Sequence, residues 1–127
     1  MASRFTELVI DAHDAHAQGR WWANVLDYDI TSDDADGVEI SARDGSSPTL
    51  LFAQVPESKT VKNRLHIDVN PTDRDQEAEV HRLIDMGARP VDVGQRPEHS
   101  WVVLADPEGN EFCVLRSRVE SIAASGC

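Results

Sequence analysis

The strongest constraint in this chain is an order of elements that occurs twice. Residues 5–12, FTELVIDA, are a short apolar run containing Val and Ile, which suits a strand. In DAHAQGRWWANVLDY, Asp14 is placed to cap a helix, and Ala17, Trp21, Val25 and Tyr28 recur at three- or four-residue steps along one face. Gly19 weakens this helix without forbidding it. DITSDDADGVEISARDGSSPTLLFAQV then supplies two or three strands, divided by the turn-rich DDADG and RDGSSP. After the connector PESKTVKN the order restarts. RLHIDVN reads as a strand. DRDQEAEVHRLIDMG reads as a helix capped by Asp73, with Val80, Leu83 and Ile84 on one side and Gly87 as its stop. ARPVDV, SWVVLA and NEFCVLR are three further strands, the last two joined by DPEGN.

The pattern is therefore β-α-β-β-β twice, with Asp14 and Asp73, 59 positions apart, as matching points. Glu7-Leu-Val-Ile-Asp11 aligns with His66-Ile-Asp-Val-Asn70. This order implies an α+β fold of two βαβββ modules forming a curved mixed sheet, with helices on the convex side and a concave face able to hold a ligand. A single domain over 1–127 is expected, with module 1 at about 4–54, module 2 at about 63–116 and a flexible tail at 119–127.

Composition narrows the partners. Twelve basic and twenty-three acidic side chains give a net charge of −11. That field repels phosphate backbones and anionic lipid, and no Lys/Arg stripe opposes it, so neither nucleic acid nor membrane is an expected partner. DITSDDADG and DRDQEAE read as solvated turn and helix surface. There is no apolar run long enough to span a bilayer, and MASRFTELVIDAHD lacks the pattern of a signal peptide. The two cysteines, Cys113 and Cys127, do not suggest a disulfide framework, which favours a reducing cytoplasm.

The element order, the segment WWANVLDYDI, the LHIDV that opens the second half, and DPEGNEF before the last strand resemble the vicinal oxygen chelate superfamily. This group holds glyoxalases, bleomycin-resistance proteins and extradiol dioxygenases; the likeness spans about residues 4–116 and is nearest to its small glyoxalase-like branch. In metal-dependent members of the group, ligands lie near the starts of the first and fifth strands and on the fourth and eighth. Carried onto this chain, the resemblance implies Glu7, Leu51, His66 and Cys113. Leucine has no donor atom, and the usual His, Gln and Glu set is absent, so the resemblance implies the fold without its usual metal set.

Strand alternation puts Glu7, Val9 and Asp11 on one side, as it does His66, Asp68 and Asn70, and Glu111, Cys113 and Leu115. Symmetry between the halves would set Glu7 beside His66, a pairing that could act as base and orienter or as two metal arms. Structural readings stand beside each functional one. Cys113 can be plain cavity lining. His66 can be a polar residue satisfied by Glu7, and Glu111 can accept a neighbouring backbone N–H. Asp106–Asn110 is read as a reverse turn with Pro in its second position and Gly in its fourth. Of Trp21 and Trp22, one is expected under the sheet and the other at the surface or a dimer contact. Trp101 is a candidate for the cavity rim. His13, His16, His81 and His99 are expected at the surface.

The expected function is thus a glyoxalase- or bleomycin-resistance-like protein that binds a small molecule in the concave face, with Glu7, His66, Glu111, Cys113 and Trp101 as candidate ligand-binding residues and no cofactor. The alternative is a metal-dependent lyase, isomerase or dioxygenase, with a divalent metal at Glu7, His66 and Glu111. A third possibility is a partner-binding or regulatory module. A homodimer is expected from the resemblance and from the prevalence of such assemblies.

Overall fold

The structure, a computed structural model, describes residues 1–91 and 100–120. Its contacts divide them into two compact units, with the boundary between Ser58 and Lys59. Each unit carries one βαβββ module and its own four-stranded mixed sheet.

In module 1, β1 (Glu7–Ala12), α1 (Ala15–Leu26), β2 (Asp29–Asp34), β3 (Gly37–Ser41) and β4 (Thr49–Gln54) follow in order. The sheet order is β1-β4-β3-β2, with β1 parallel to β4 and the other pairs antiparallel. Parallel pairing needs a long crossover, and α1 with the β2–β3 hairpin provides it. Glu7, Val9 and Asp11 lie on the exposed side of β1, while Leu8, Ile10 and Ala12 are more enclosed. Val38, Ile40, Leu50 and Phe52 complete the apolar face.

The buried side of α1 differs from the expected one. Ala15, Gln18, Gly19 and Trp22 are buried, whereas Ala17 is exposed and Val25 and Tyr28 are only partly covered. Gly19 explains the difference. A Cβ there would lie 2.7 Å from Val38 Cγ1 and 2.8 Å from Val38 Cβ, so the bare backbone lets this face press onto β3. Both tryptophans are buried, in an edge-to-face pair with ring centroids 5.2 Å apart. The expectation that one would sit at the surface is corrected, because the two rings pack edge against face and both are covered. Asp14 caps α1 as expected, accepting from Ala17 N at 3.2 Å.

Module 2 comprises β5 (Ile67–Val69), α2 (Gln76–Asp85), β6 (Arg89–Pro90), β7 (Val102–Ala105) and β8 (Glu111–Val114), in sheet order β5-β8-β7-β6. Again the first and last strands are parallel. Leu83, Leu104, Phe112 and Val114 form its innermost core. The cap of α2 is Asp75, not Asp73: Asp75 Oδ1 accepts from Ala78 N at 2.9 Å, while Asp73 pairs with Arg74. Starting the helix at Gln76 lets the Gln76 amide donate to the carbonyls of Ser100 and Val114, which ties α2 to β8. Gly87, at φ 117°, ends the helix as expected. The last residues of ARPVDV, His99, and the tail from 121 onward with Cys127 lie outside the described residues.

Between β7 and β8 the DPEG turn forms as read. Gly109 N donates to Asp106 O at 2.8 Å, and Gly109 has φ 90°. The buried Asp106 carboxylate accepts from Glu108 N at 3.0 Å and Asn110 N at 2.9 Å. This fixes where β8 begins, and so which face each of its side chains takes.

Candidate functional site

The parallel β5–β8 register sets Asp68 opposite Cys113, between the pairs Ile67–Phe112 and Val69–Val114. By the pleat, Phe112 and Val114 turn to one side and Cys113 to the other, which it shares with Asp68. His66 stands just before β5, two positions from Asp68, and therefore reaches the same face. His66 Nε2 lies 3.1 Å from Asp68 Oδ1, and both side chains are 48% exposed. The Cys113 thiol is buried and hydrogen-bonds to the Asp68 carboxylate. Burial pushes this thiol's pKa up, and the Asp68 charge and hydrogen bond add to that, with Lys62 acting weakly the other way. Asp68 thus stands between the Cys113 thiol and the His66 imidazole, in a chain running Cys113–Asp68–His66. A nitrogen, a carboxylate oxygen and a sulfur come within 4.8 Å of one another.

Glu111 has a different occupation. Its side chain is 10% exposed, and Lys59 Nζ lies 3.0 Å from Oε1. Asn63 N donates to Glu111 at 3.3 Å, and Asn63 Nδ2 to Asn110 Oδ1 at 2.9 Å. Burial raises the Glu111 pKa, but the bonds from Lys59 and from backbone N–H groups outweigh it and hold the carboxyl below its ordinary value. Glu111 therefore clamps the segment before β5 onto the β7–β8 turn. Accepting a neighbouring backbone N–H was one of its two readings from sequence.

Glu7 is exposed at the start of β1 and accepts from Thr49 Oγ1 at 3.3 Å. In the β1–β4 register Val9 faces Leu51, the places that Asp68 and Cys113 hold in module 2. The set implied by the resemblance, Glu7, Leu51, His66 and Cys113, therefore has an apolar side chain in one of its four places and does not fit the usual metal. Trp101 directly precedes β7 and is 37% exposed. His13, His16 and His81 are exposed, His16 with its Nδ1 2.6 Å from Asp33 Oδ1.

Three participants were not singled out from sequence. Asp68 carried a usable signal, since it is two residues from His66 and shares its pleat face. Lys59 and Asn63 carried none, because they belong to a segment that reads only as a connector.

The glyoxalase-like domain family matches residues 7–115, which covers both modules. This chain belongs to that family. No curated protein matches the chain. Among solved structures, the fosfomycin resistance protein FosX from Mesorhizobium loti is similar, with TM-score 0.69 and 15% identity over 94% of this chain and 96% of that one. A glyoxalase/bleomycin resistance protein/dioxygenase family enzyme from Burkholderia phytofirmans PsJN gives 0.66 and 17%, covering 88% and 97%. TnmS3, an antibiotic-binding protein from Streptomyces sp. CB03234, gives 0.61 and 15%, covering 91% and 98%. At these identities the likeness is one of fold, shared across the glyoxalase-like family with proteins of differing roles.

Proposed function

We propose that this glyoxalase-like protein binds a small organic molecule on the face of β5 and β8 that carries Asp68 and Cys113, with the family's usual metal set not retained. The observation that carries the reading is the Cys113–Asp68–His66 chain. It places two half-exposed polar groups over a buried thiol, on a sheet whose other face is packed with Phe112 and Val114. A few convergent polar groups are what fixes the orientation of a small molecule in its site. Trp101 is a further candidate for contact, and Glu111 supports the site through its clamp with Lys59. The net charge of −11 favours a ligand bearing a cation. Antibiotic binding by the similar Streptomyces protein is compatible with this reading. The described residues hold no helix long and apolar enough to cross a membrane, and Cys113 is a free thiol. A cytoplasmic homodimer completes the proposal.

The test is a thermal-shift screen of amine-bearing antibiotics on the purified chain and on a His66→Gln/Asp68→Asn variant. A ligand at a hundred times its dissociation constant should stabilise the wild type by about 2.7 kcal/mol. The variant should not respond to the same compound. Equal shifts in both proteins would contradict the reading.

A further inference from the structure

We propose that the connector ahead of β5 walls the ligand face, and that Lys62 on it selects a zwitterion, a molecule carrying a carboxylate beside its amine. The inference rests on the ligand reading above and names the class of molecule that the same site takes. Glu111 and Cys113 alternate with Phe112 on β8, so both belong to the face that carries Asp68. The connector is fastened to that face. Lys59 Nζ lies 3.0 Å from Glu111 Oε1, Asn63 N donates to Glu111 Oε2 at 3.3 Å, and Asn63 Nδ2 donates to Asn110 Oδ1 at 2.9 Å. Lys62 stands between these fastenings. Its charge reaches the Cys113 thiol, opposing the rise in pKa that burial and Asp68 cause there.

The two lysines of the connector have different occupations. Lys59 is neutralised by Glu111. Lys62 is exposed, and among the described residues no carboxylate pairs with it; its Nζ donates to Asn63 O at a long 3.4 Å. Val61 and Leu65 are exposed on the same segment and supply apolar surface beside it. The face therefore presents an acid at Asp68, a cation at Lys62 and apolar side chains on the wall. One ammonium balances one negative charge, which suits a carboxylate better than a doubly charged phosphate.

The charge of the whole chain explains why the anion comes with a cation. At −11 the protein repels a simple anion. An amine directed at Asp68 cancels that repulsion, and the carboxylate then meets Lys62 at short range, where a single nearby charge outweighs a screened distant field.

The experiment titrates the full chain by calorimetry with ampicillin and cephalexin, each carrying one amine and one carboxylate, and with the methyl ester of each. The parent should bind the free acids about three- to tenfold more tightly than the esters. Lys62→Gln should abolish that preference, Lys62→Glu should reverse it, and Lys62→Arg should keep it. Arg20→Gln makes the same change in net charge on module 1 and should leave the preference as in the parent. Esters that bind as tightly as the acids, or a preference that survives Lys62→Gln, would overturn the proposal and leave the ligand reading standing. So would failure of both compounds in either form while other amine-bearing antibiotics bind. Failure of every amine-bearing compound would overturn both.

Discussion

Asp68 and Cys113 face each other across a parallel strand pair, at the register that Val9 and Leu51 occupy in the first module. One backbone plan thus carries a polar pair in one copy and an apolar pair in the other. The sheet does not require the acid and the thiol for its integrity, which leaves them available for chemistry.

Replacing the polar pair by its apolar counterpart should accordingly spare the fold. Asp68→Val with Cys113→Leu removes both partners of one hydrogen bond, a change that is nearly neutral when the shape is kept. The larger leucine adds some packing strain. The double variant should unfold in urea within about 2 kcal/mol of the parent, while losing the ligand response.

Gly19→Ala should destabilise the protein although it improves helix propensity. The propensity gain is about 1 kcal/mol. The new methyl would meet Val38 at 2.7 and 2.8 Å, and overpacking of this kind costs about 1–3 kcal/mol. The contact is with a β-branched side chain on a strand, which has little freedom to yield. Urea unfolding should show a net loss, and Val38→Ala in the same chain should recover part of it.

Asp27 makes a pH prediction. It ends α1 in the left-handed conformation, at φ 57°, and takes two hydrogen bonds from Arg43, at 2.7 and 2.9 Å. Those bonds hold its carboxyl below the ordinary 3.8, with burial opposing them slightly. A carboxyl whose folded pKa is depressed contributes stability that is fully present above its unfolded value and is lost as pH falls through the folded one. The window therefore lies below pH 3.8. Because the pair is exposed, the contribution is small and falls with salt. An NMR titration should find Asp27 below 3.8 in the parent and returned toward that value in Arg43→Gln.

Asp106→Ala should be costly. The buried carboxylate accepts from two backbone N–H groups, and their loss leaves both without a side-chain partner. About 2–4 kcal/mol of destabilisation is expected from urea unfolding. Asp106→Asn, which keeps one acceptor oxygen, should lose less.

The fold was legible because its signals are local and repeat. Strand alternation, the Asp14 cap, the Gly87 stop and the DPEG turn each depend on residues adjacent in sequence. Errors arose where a distant contact decided the outcome. Ala17 appeared to belong to the buried face of α1, but the closeness of Gly19 to Val38 turned another face inward. Asp73 was read as the cap of α2, but the Asp75 carboxylate and the bond from Gln76 to β8 set the helix start two residues later. Of the site, the shared face of His66 and Cys113 could be read from the pleat. The salt bridge from Lys59 to Glu111 spans 52 positions and leaves no trace in either local sequence.

Amide chemical-shift mapping of the strongest hit from the antibiotic screen tests the central claim most directly. Binding on the face of β5 and β8 predicts the largest perturbations at residues 66–69 and 111–114. Perturbations confined to the helices, or to strands β2 and β3, would contradict it.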